Sequence, residues 1–391
     1  MRINPKRILL IVLDSCGCGR APDAEAFGDA GANTLAHTAK AVGGLSLPNL
    51  QRWGIGNIEN IMGVAPAEKT IAAYGRMQER SAGKDTTVGH WEITGLITSE
   101  PFRVFPEGFP NELIDAFAKK TRRGVLGNKP ASGTEIIKEQ GEEQLRTGDW
   151  IVYTSGDSVF QIAAHEELIS LEELYEACKI ARTLCDPYRI CRVIARPYVG
   201  LPGNFVRTYN RHDFGTPPPY ATLLDYVKKV GLPVIGLGKI SDIFCGNGIT
   251  ESIHTAGNTD GLEKTTERFA NMSKGLMFVN LIDFDSQYGH RRNPDGFACA
   301  LEEFDSFLPK LAQICGPEDL LFLTADHGND PTHHGTDHTR EQVPLLVYGP
   351  PTTANHDLGV RDSFADLAAS IAEAFGIDWI LPGKSFFKEI S

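Results

Sequence analysis

The sequence predicts an α/β protein: a three-layer core on a mostly parallel sheet, with a smaller α+β domain inserted into it. Three observations carry this reading. First, short apolar runs lead straight into polar loops: "RILLIVLD", "LPVIGLGKI", "KGLMFVNLIDFD", "EDLLFLTADH" and "VPLLVYGP". Unbroken rather than alternating runs suit strands buried on both faces of a parallel sheet. Second, amphipathic segments such as "TLLDYVKKVG", "GFACALEEFDSFLPKLAQIC" and "FADLAASIAEAFG" alternate with them, the order expected of a layered α/β core. In the last of these Phe364, Leu367, Ile371 and Phe375 recur close to helical spacing. Third, the chain changes character from about Pro101 to Pro219, where Gly, Pro and charged loops predominate.

That middle stretch predicts its own helix, "LEELYEACKIARTLC", and its own strands within "DWIVYTS" and "YRICRVIARPYVG". The proline cluster "GTPPPY", Gly215 to Tyr220, marks its exit, because successive prolines resist both helix and internal sheet. The expected organisation is a core domain over 1–100, an inserted domain over 101–219 and the rest of the core over 220–391. A chain of 391 residues is long enough for two such domains.

Composition narrows the function. A formal charge of -12, spread along the chain, excludes a general nucleic-acid binder, which needs a basic footprint. A phosphate-bearing small molecule stays open, since a few cations can reverse the field inside one cleft. The eight cysteines are scattered with no CxxC pair, which points to free thiols in a reducing cytoplasm. The apolar run near the start, "ILLIVL", is too short for a signal sequence and ends at Asp14. No run approaches a membrane span, so no membrane partner is expected.

The chemistry lies where strands end. "TADHGNDPTHHGTDHTRE" gathers Asp326, His327 and His338 after one apolar run; Asp14 follows another, and Asp285 with His290 follows a third in "DFDSQYGH". In open α/β sheets sites form beyond the carboxyl ends of strands, so these residues can converge. Three Asp and three His exceed the needs of one catalytic zinc. They suit two divalent ions about 3.5–4 Å apart. The mixed oxygen and nitrogen donors favour manganese or zinc over calcium. His333 and His334 are equally conspicuous but read as solvated loop residues.

A second polar segment, "SAGKDTTVGHWEITG", offers the hydroxyls of Thr86 and Thr87 beside Lys84, Asp85 and His90. Asp85 or Thr86 would cap a short helix beginning near Val88, turning backbone N–H groups toward a phosphate. A threonine hydroxyl is a poor nucleophile unless a base or metal favours its alkoxide. The competing reading is a plain helix start, with His90 and Trp91 as packing residues. These residues alone do not separate Thr86 from Thr87.

Together, "VLDSCGCG", "GKDTTVGHWEITG", "FPEGFP", "NKPASGTEII", "TSGDSVFQIAAHEE", "RVIARPYVG", "DFDSQYGHRRNPDG" and "TADHGNDPTHHGTDHTREQVPLLVYG" closely resemble the phosphopentomutase family, within the alkaline phosphatase superfamily. "DHG" alone would indicate only the superfamily; "GKDT" with "GHWE" and "GTDHTRE" is more specific. The resemblance implies an alkaline-phosphatase-like core and a cap formed by the insert. It implies one metal site from Asp14, Asp326 and His327 with Thr86 as a further contact, and another from Asp285, His290 and His338. Thr86 matches the family's phosphorylated threonine. Ser155 and Asp157 become candidates for gripping the sugar, and Arg192, Arg207 and Lys239 for its distal phosphate. Cys16 and Cys18 depart from the apolar or small residues expected beside Asp14. They read as small buried side chains rather than soft ligands.

The implied reaction interconverts α-D-ribose 1-phosphate and D-ribose 5-phosphate, or their 2-deoxy equivalents, with two divalent ions, manganese first, and a sugar bisphosphate as primer. Rival readings are a cofactor-independent phosphoglycerate mutase, expected to carry a serine nucleophile, and a phosphatase. A non-catalytic binder of metal or sugar phosphate would need no positioned threonine.

Overall fold

The computed structural model describes residues 5–156, 158–350 and 353–391. The chain divides into two compact units, one made of the residues up to Glu100 together with Pro218–Ser391, the other of Pro101–Pro217.

Strands are numbered in chain order. The first unit holds β1 (Arg7–Leu13), β2 (Ala73–Met77), β9 (Val234–Leu237), β10 (Glu251–Ile253), β11 (Gly275–Leu281), β12 (Asp319–Thr324), β13 (Val343–Tyr348) and β14 (Asp357–Arg361). They form one eight-stranded sheet in the order β10-β9-β11-β1-β12-β13-β2-β14. β1 lies at its centre, parallel to β11 on one side and to β12 on the other. Ile8 to Val12 and Leu276 to Val279 are fully buried, as the unbroken apolar runs require. The helices Asn258–Ala270, Pro294–Ile314 and Thr34–Ala41 pack as one group, and Thr86–Ile93, Leu223–Lys229 and Ala365–Ala374 as another.

One strand runs the other way. β13 is antiparallel to both β12 and β2, although its run "VPLLVY" looks like the others. The reason is the connection: parallel neighbours need a crossover, usually a helix. Between Thr324 and Val343 there is no helix, only a loop that turns back, and this loop carries Asp326, His327 and His338.

The second unit contains β3 (Val125–Pro130), β4 (Trp150–Thr154), β5 (Val159–His165), β6 (Arg192–Leu201), β7 (Asn204–Arg207) and β8 (His212–Gly215). Five form the order β3-β4-β5-β6-β7, with β8 pairing β6. Alternation along β4 divides the two faces. Trp150 and Val152 enter a core with Phe117, Phe160 and Cys178, from the helices Asn111–Thr121 and Leu171–Cys185 and from β5. Ile151 and Tyr153 pack with Ile136 and Ile137 of the Gly133–Thr147 helix.

Candidate metal centre

The three central strands deliver the acidic residues to one end of the sheet. Asp14 follows β1, Asp326 lies two residues past β12, and Asp285 sits in a π-helical turn, Phe284–Gly289, after β11. Because the strands are parallel, their carboxyl ends coincide and the side chains meet. Donor atoms of Asp14, Asp326 and His327 lie within 4.8 Å of one another, as do those of Asp285, His327 and His338. His327 is thus common to both groups. His290 stands beside the second, its Nε2 3.3 Å from Asp285 Oδ2 and its ring 4.7 Å from that of His338.

Five of these candidate donors are oriented from behind. Asn280 Nδ2 donates to Asp14 Oδ2 at 2.8 Å, the Ser15 N–H to Asp326 Oδ1 at 3.1 Å, and Asn329 Nδ2 to Asp285 Oδ1 at 2.8 Å. Ser15 reaches this position with φ 67, a left-handed conformation that costs a non-glycine residue about 1–3 kcal/mol. His327 Nδ1 faces the Gly328 carbonyl at 3.0 Å and His290 Nδ1 the Thr336 carbonyl at 2.6 Å. A carbonyl only accepts, so both Nδ1 atoms carry the proton and both Nε2 atoms face inward. His327 Nε2 is 3.2 Å from Asp326 Oδ2 and 3.5 Å from Asp14 Oδ1.

This donor set fits a divalent cation. Among the described residues, Asp14 Oδ1 and His338 Nε2 are buried without a hydrogen-bond partner, an arrangement that costs free energy unless a cation satisfies them. The electrostatics express the same demand. Burial, then Asp326 and Asp285, pushes Asp14 up to about 7. Against the opposing push of burial, Asp326 and Asp14 hold His327 well above its usual value. Burial and the His327 charge bring His338 down to about 3. A bound dication would reverse the first two tendencies by favouring the carboxylates and the neutral imidazole.

Thr86 opens the helix Thr86–Ile93, and the Asp85 carboxylate caps it by accepting from the N–H groups of Thr87 at 3.1 Å and Val88 at 3.2 Å. The cap engages so early that the helix begins at Thr86 rather than near Val88. Thr86 Oγ1 lies 3.1 Å from His327 Nε2, so the first of the two threonines faces the centre. The helix can approach because of Gly89, where an added Cβ would fall 2.2 Å from the Asp326 carbonyl oxygen.

Several contributors went unread in the sequence. His90, fully buried, is more than packing: its Nδ1 faces the Thr86 carbonyl at 2.9 Å and Asp326 Oδ2 at 3.1 Å. Asn280 Nδ2 also reaches its Nε2 at 3.3 Å. Arg340 donates to Glu79, Asp23 and the Gly83 carbonyl, tying the loop before Thr86 to the loop after β12. The lone Asn in the apolar run "GLMFVNL" was the available signal for Asn280.

The remaining candidates fall as follows. Cys16 and Cys18 are fully buried, outside both donor groups, and burial holds both thiols protonated by raising them. The rings of His333 and His334 lie 4.2 Å apart, tilted by 49°, and join neither group. In the second unit Ser155 follows β4, Arg192 begins β6 with Asp213 3.6 Å away, and Arg207 ends β7 opposite Tyr198. Lys239 precedes the short Ile240–Ile243 helix of the first unit. Asp157 lies outside the described residues.

The model of the metalloenzyme superfamily matches residues 6–379, and the fold and paired donor groups place the chain in that class. Among solved structures, the PH0037 protein of Pyrococcus horikoshii aligns with a TM-score of 0.50 at 14% identity, over 97% of this chain and 100% of that one, a likeness of fold. The phosphopentomutase of Kosmotoga olearia is 55% identical over 386 residues, 98% of this chain and 99% of its own. That of Anaeromyxobacter sp. (strain K) is 55% identical over 387 residues, 99% of each chain. The chain belongs to the phosphopentomutase family, a family of isomerases.

Proposed function

We propose that the protein interconverts α-D-ribose 1-phosphate and D-ribose 5-phosphate, and the 2-deoxy pair, through a phosphothreonine at Thr86. The observation that carries this reading is the Thr86 hydroxyl 3.1 Å from His327, at the start of a helix and beside two donor groups. Asp14, Asp326 and His327, with Thr86, would hold one divalent ion; Asp285, His290 and His338 would hold the other, with His327 between them. Manganese suits this set. Such ions supply charge neutralisation for the transferring phosphoryl group and favour an oxyanion at neutral pH.

The chain's own residues supply position. Asp85 caps the helix and so fixes where it begins, with Thr86 Oγ1 turned to His327. The phosphoryl group passes from Thr86 Oγ to the anomeric oxygen of ribose 5-phosphate; the P–Oγ bond breaks as the new P–O bond forms, and the proton lost by the sugar hydroxyl is matched by the one that restores the Thr86 hydroxyl. The product is ribose 1,5-bisphosphate. Its 5-phosphate then returns to Thr86, releasing ribose 1-phosphate. We read the second unit as a cap that excludes water, so that the phosphoenzyme survives until the sugar has turned. Ser155, Asp157, Arg192, Arg207 and Lys239 are its substrate contacts in this reading, and a sugar bisphosphate primes the unphosphorylated enzyme. The free cysteines suit a cytoplasmic protein.

The test is a mutase assay with manganese, ribose 1-phosphate and a trace of sugar bisphosphate, following ribose 5-phosphate and free phosphate together. Ribose 5-phosphate without matching phosphate release is expected. Phosphate release alone would make the protein a phosphatase. Thr86→Ala should abolish turnover while metal content stays near wild type; an active variant would sink the phosphothreonine.

A further inference from the structure

Two of the three candidate histidine ligands present Nδ1 to a backbone carbonyl, His327 to Gly328 and His290 to Thr336. The third does not. His338 Nδ1 lies 3.6 Å from Oδ1 of its neighbour Asp337, the same oxygen that accepts from the His338 N–H at 2.8 Å. On the other side of the ring, the buried Nε2 faces Asp285 Oδ1 at 3.6 Å and has no hydrogen-bond partner among the described residues. A carboxylate behind an imidazole fixes its tautomer and makes the inner nitrogen a stronger donor to a cation. Asp337, however, is 65% exposed, and an exposed side chain turns freely unless something holds it.

Lys84 holds it. The ammonium lies 3.4 Å from Asp337 Oδ2 and donates to Asp29 Oδ2 at 2.9 Å. The Asp337 carboxylate is thereby divided, with Oδ2 toward the lysine and Oδ1 toward His338. Asp29 anchors the arrangement: it is buried, and its Oδ2 also accepts from the Arg340 N–H at 2.8 Å. The Lys84 side chain is only 18% exposed, and a lysine loses more rotamer freedom on ordering than most side chains. Among the described residues, Asp29 and Asp337 are the carboxylates within ion-pair distance of it. All of these residues belong to the first unit.

We propose that Lys84 and Asp337 are positioning residues for the second donor group. Lys84 pins the Asp337 carboxylate so that Oδ1 stays behind His338, and Asp337 orients the ring so that Nε2 meets the ion shared with Asp285 and His290. The inference rests on the assignment of those three residues to a second ion, made above. Lys84 also stands two residues before Thr86. The segment that carries the threonine hydroxyl therefore governs a ligand of the second ion as well, and one lysine ties the two together.

Manganese is titrated into EDTA-treated, desalted full-length protein, and bound ions are counted from the electron paramagnetic resonance signal of free manganese. Wild type should bind two. Asp337→Leu, at an exposed position, should loosen one of the two about 10- to 100-fold and leave the other unchanged. Lys84→Met should loosen the same ion, and Lys84→Arg should restore most of the loss. Adding Lys84→Met to Asp337→Leu should bring little further change, because the lysine acts through the carboxylate. Equal loosening of both ions in Lys84→Met, with a lowered unfolding midpoint, would make the lysine a general support of the fold and overturn its role here. Wild-type affinity for both ions in Asp337→Leu overturns the proposal. A wild-type protein that binds a single manganese ion overturns the two-ion reading, and this inference with it.

Discussion

Asn280 shows how much a single side chain can organise. One amide nitrogen serves Asp14 and the His90 ring, and His90 in turn faces Asp326 and the Thr86 carbonyl. Outer groups of this kind set ligand orientation, and their loss costs about 10- to 100-fold in metal affinity. Asn280→Leu should weaken manganese binding by that order, read by titration against a competing chelator, with the sheet intact. Glu341 offers a second test. It accepts from Gly19, Thr34 and Thr339, yet burial still pushes its carboxyl from 4.5 up to about 7. Across that window the folded state keeps a proton the unfolded chain has released, so this contribution to stability falls as pH rises. Glu341→Gln cannot ionise; its unfolding temperature should decline less than wild type's between those pH values. Conspicuous residue types made the two donor groups legible in sequence, except that His327 is common to both. The choice of Thr86 over Thr87 was not legible from the residues alone, because it depends on where a cap starts a helix.

Among the elements, the Thr86–Ile93 helix and the β12–β13 loop are matched surfaces. Gly89 is helical, and helix propensity alone would favour alanine there. The contact opposes it: a methyl would meet the Asp326 carbonyl at 2.2 Å and push Thr86 away from His327. A displacement of about 1 Å can cost about 100-fold in rate. Gly89→Ala should lower kcat by that order and also lower the unfolding midpoint, because the atom met is backbone and cannot swing aside; undiminished turnover would show the contact to be slack. Elements with strong patterns were readable, which is why β1, β11 and β12 stand where their apolar runs imply. β3 was not: "VLGNKP" mixes Gly, Asn and Pro, and its register shifts at Gly127–Lys129. Nor could the direction of β13 be read from its composition, since direction depends on the connection before it.

At the scale of the molecule, the second unit has its own buried cores on both faces of its sheet. Residues 101–217 expressed alone should therefore unfold cooperatively in urea, monitored by far-ultraviolet circular dichroism; a gradual, uncooperative loss would tie its folding to the rest of the chain. The position of this unit in the sequence also bears on synthesis. β1 leaves the ribosome before the insert, but both strands that flank it, β11 and β12, come after the entire insert. While that unit is being made, "RILLIVL" has neither neighbour, and an apolar, β-prone strand left unpaired invites association with other chains. Slow translation or heat should therefore penalise the nascent chain more than the finished enzyme, and a chaperone that shields its first strand would find its moment there.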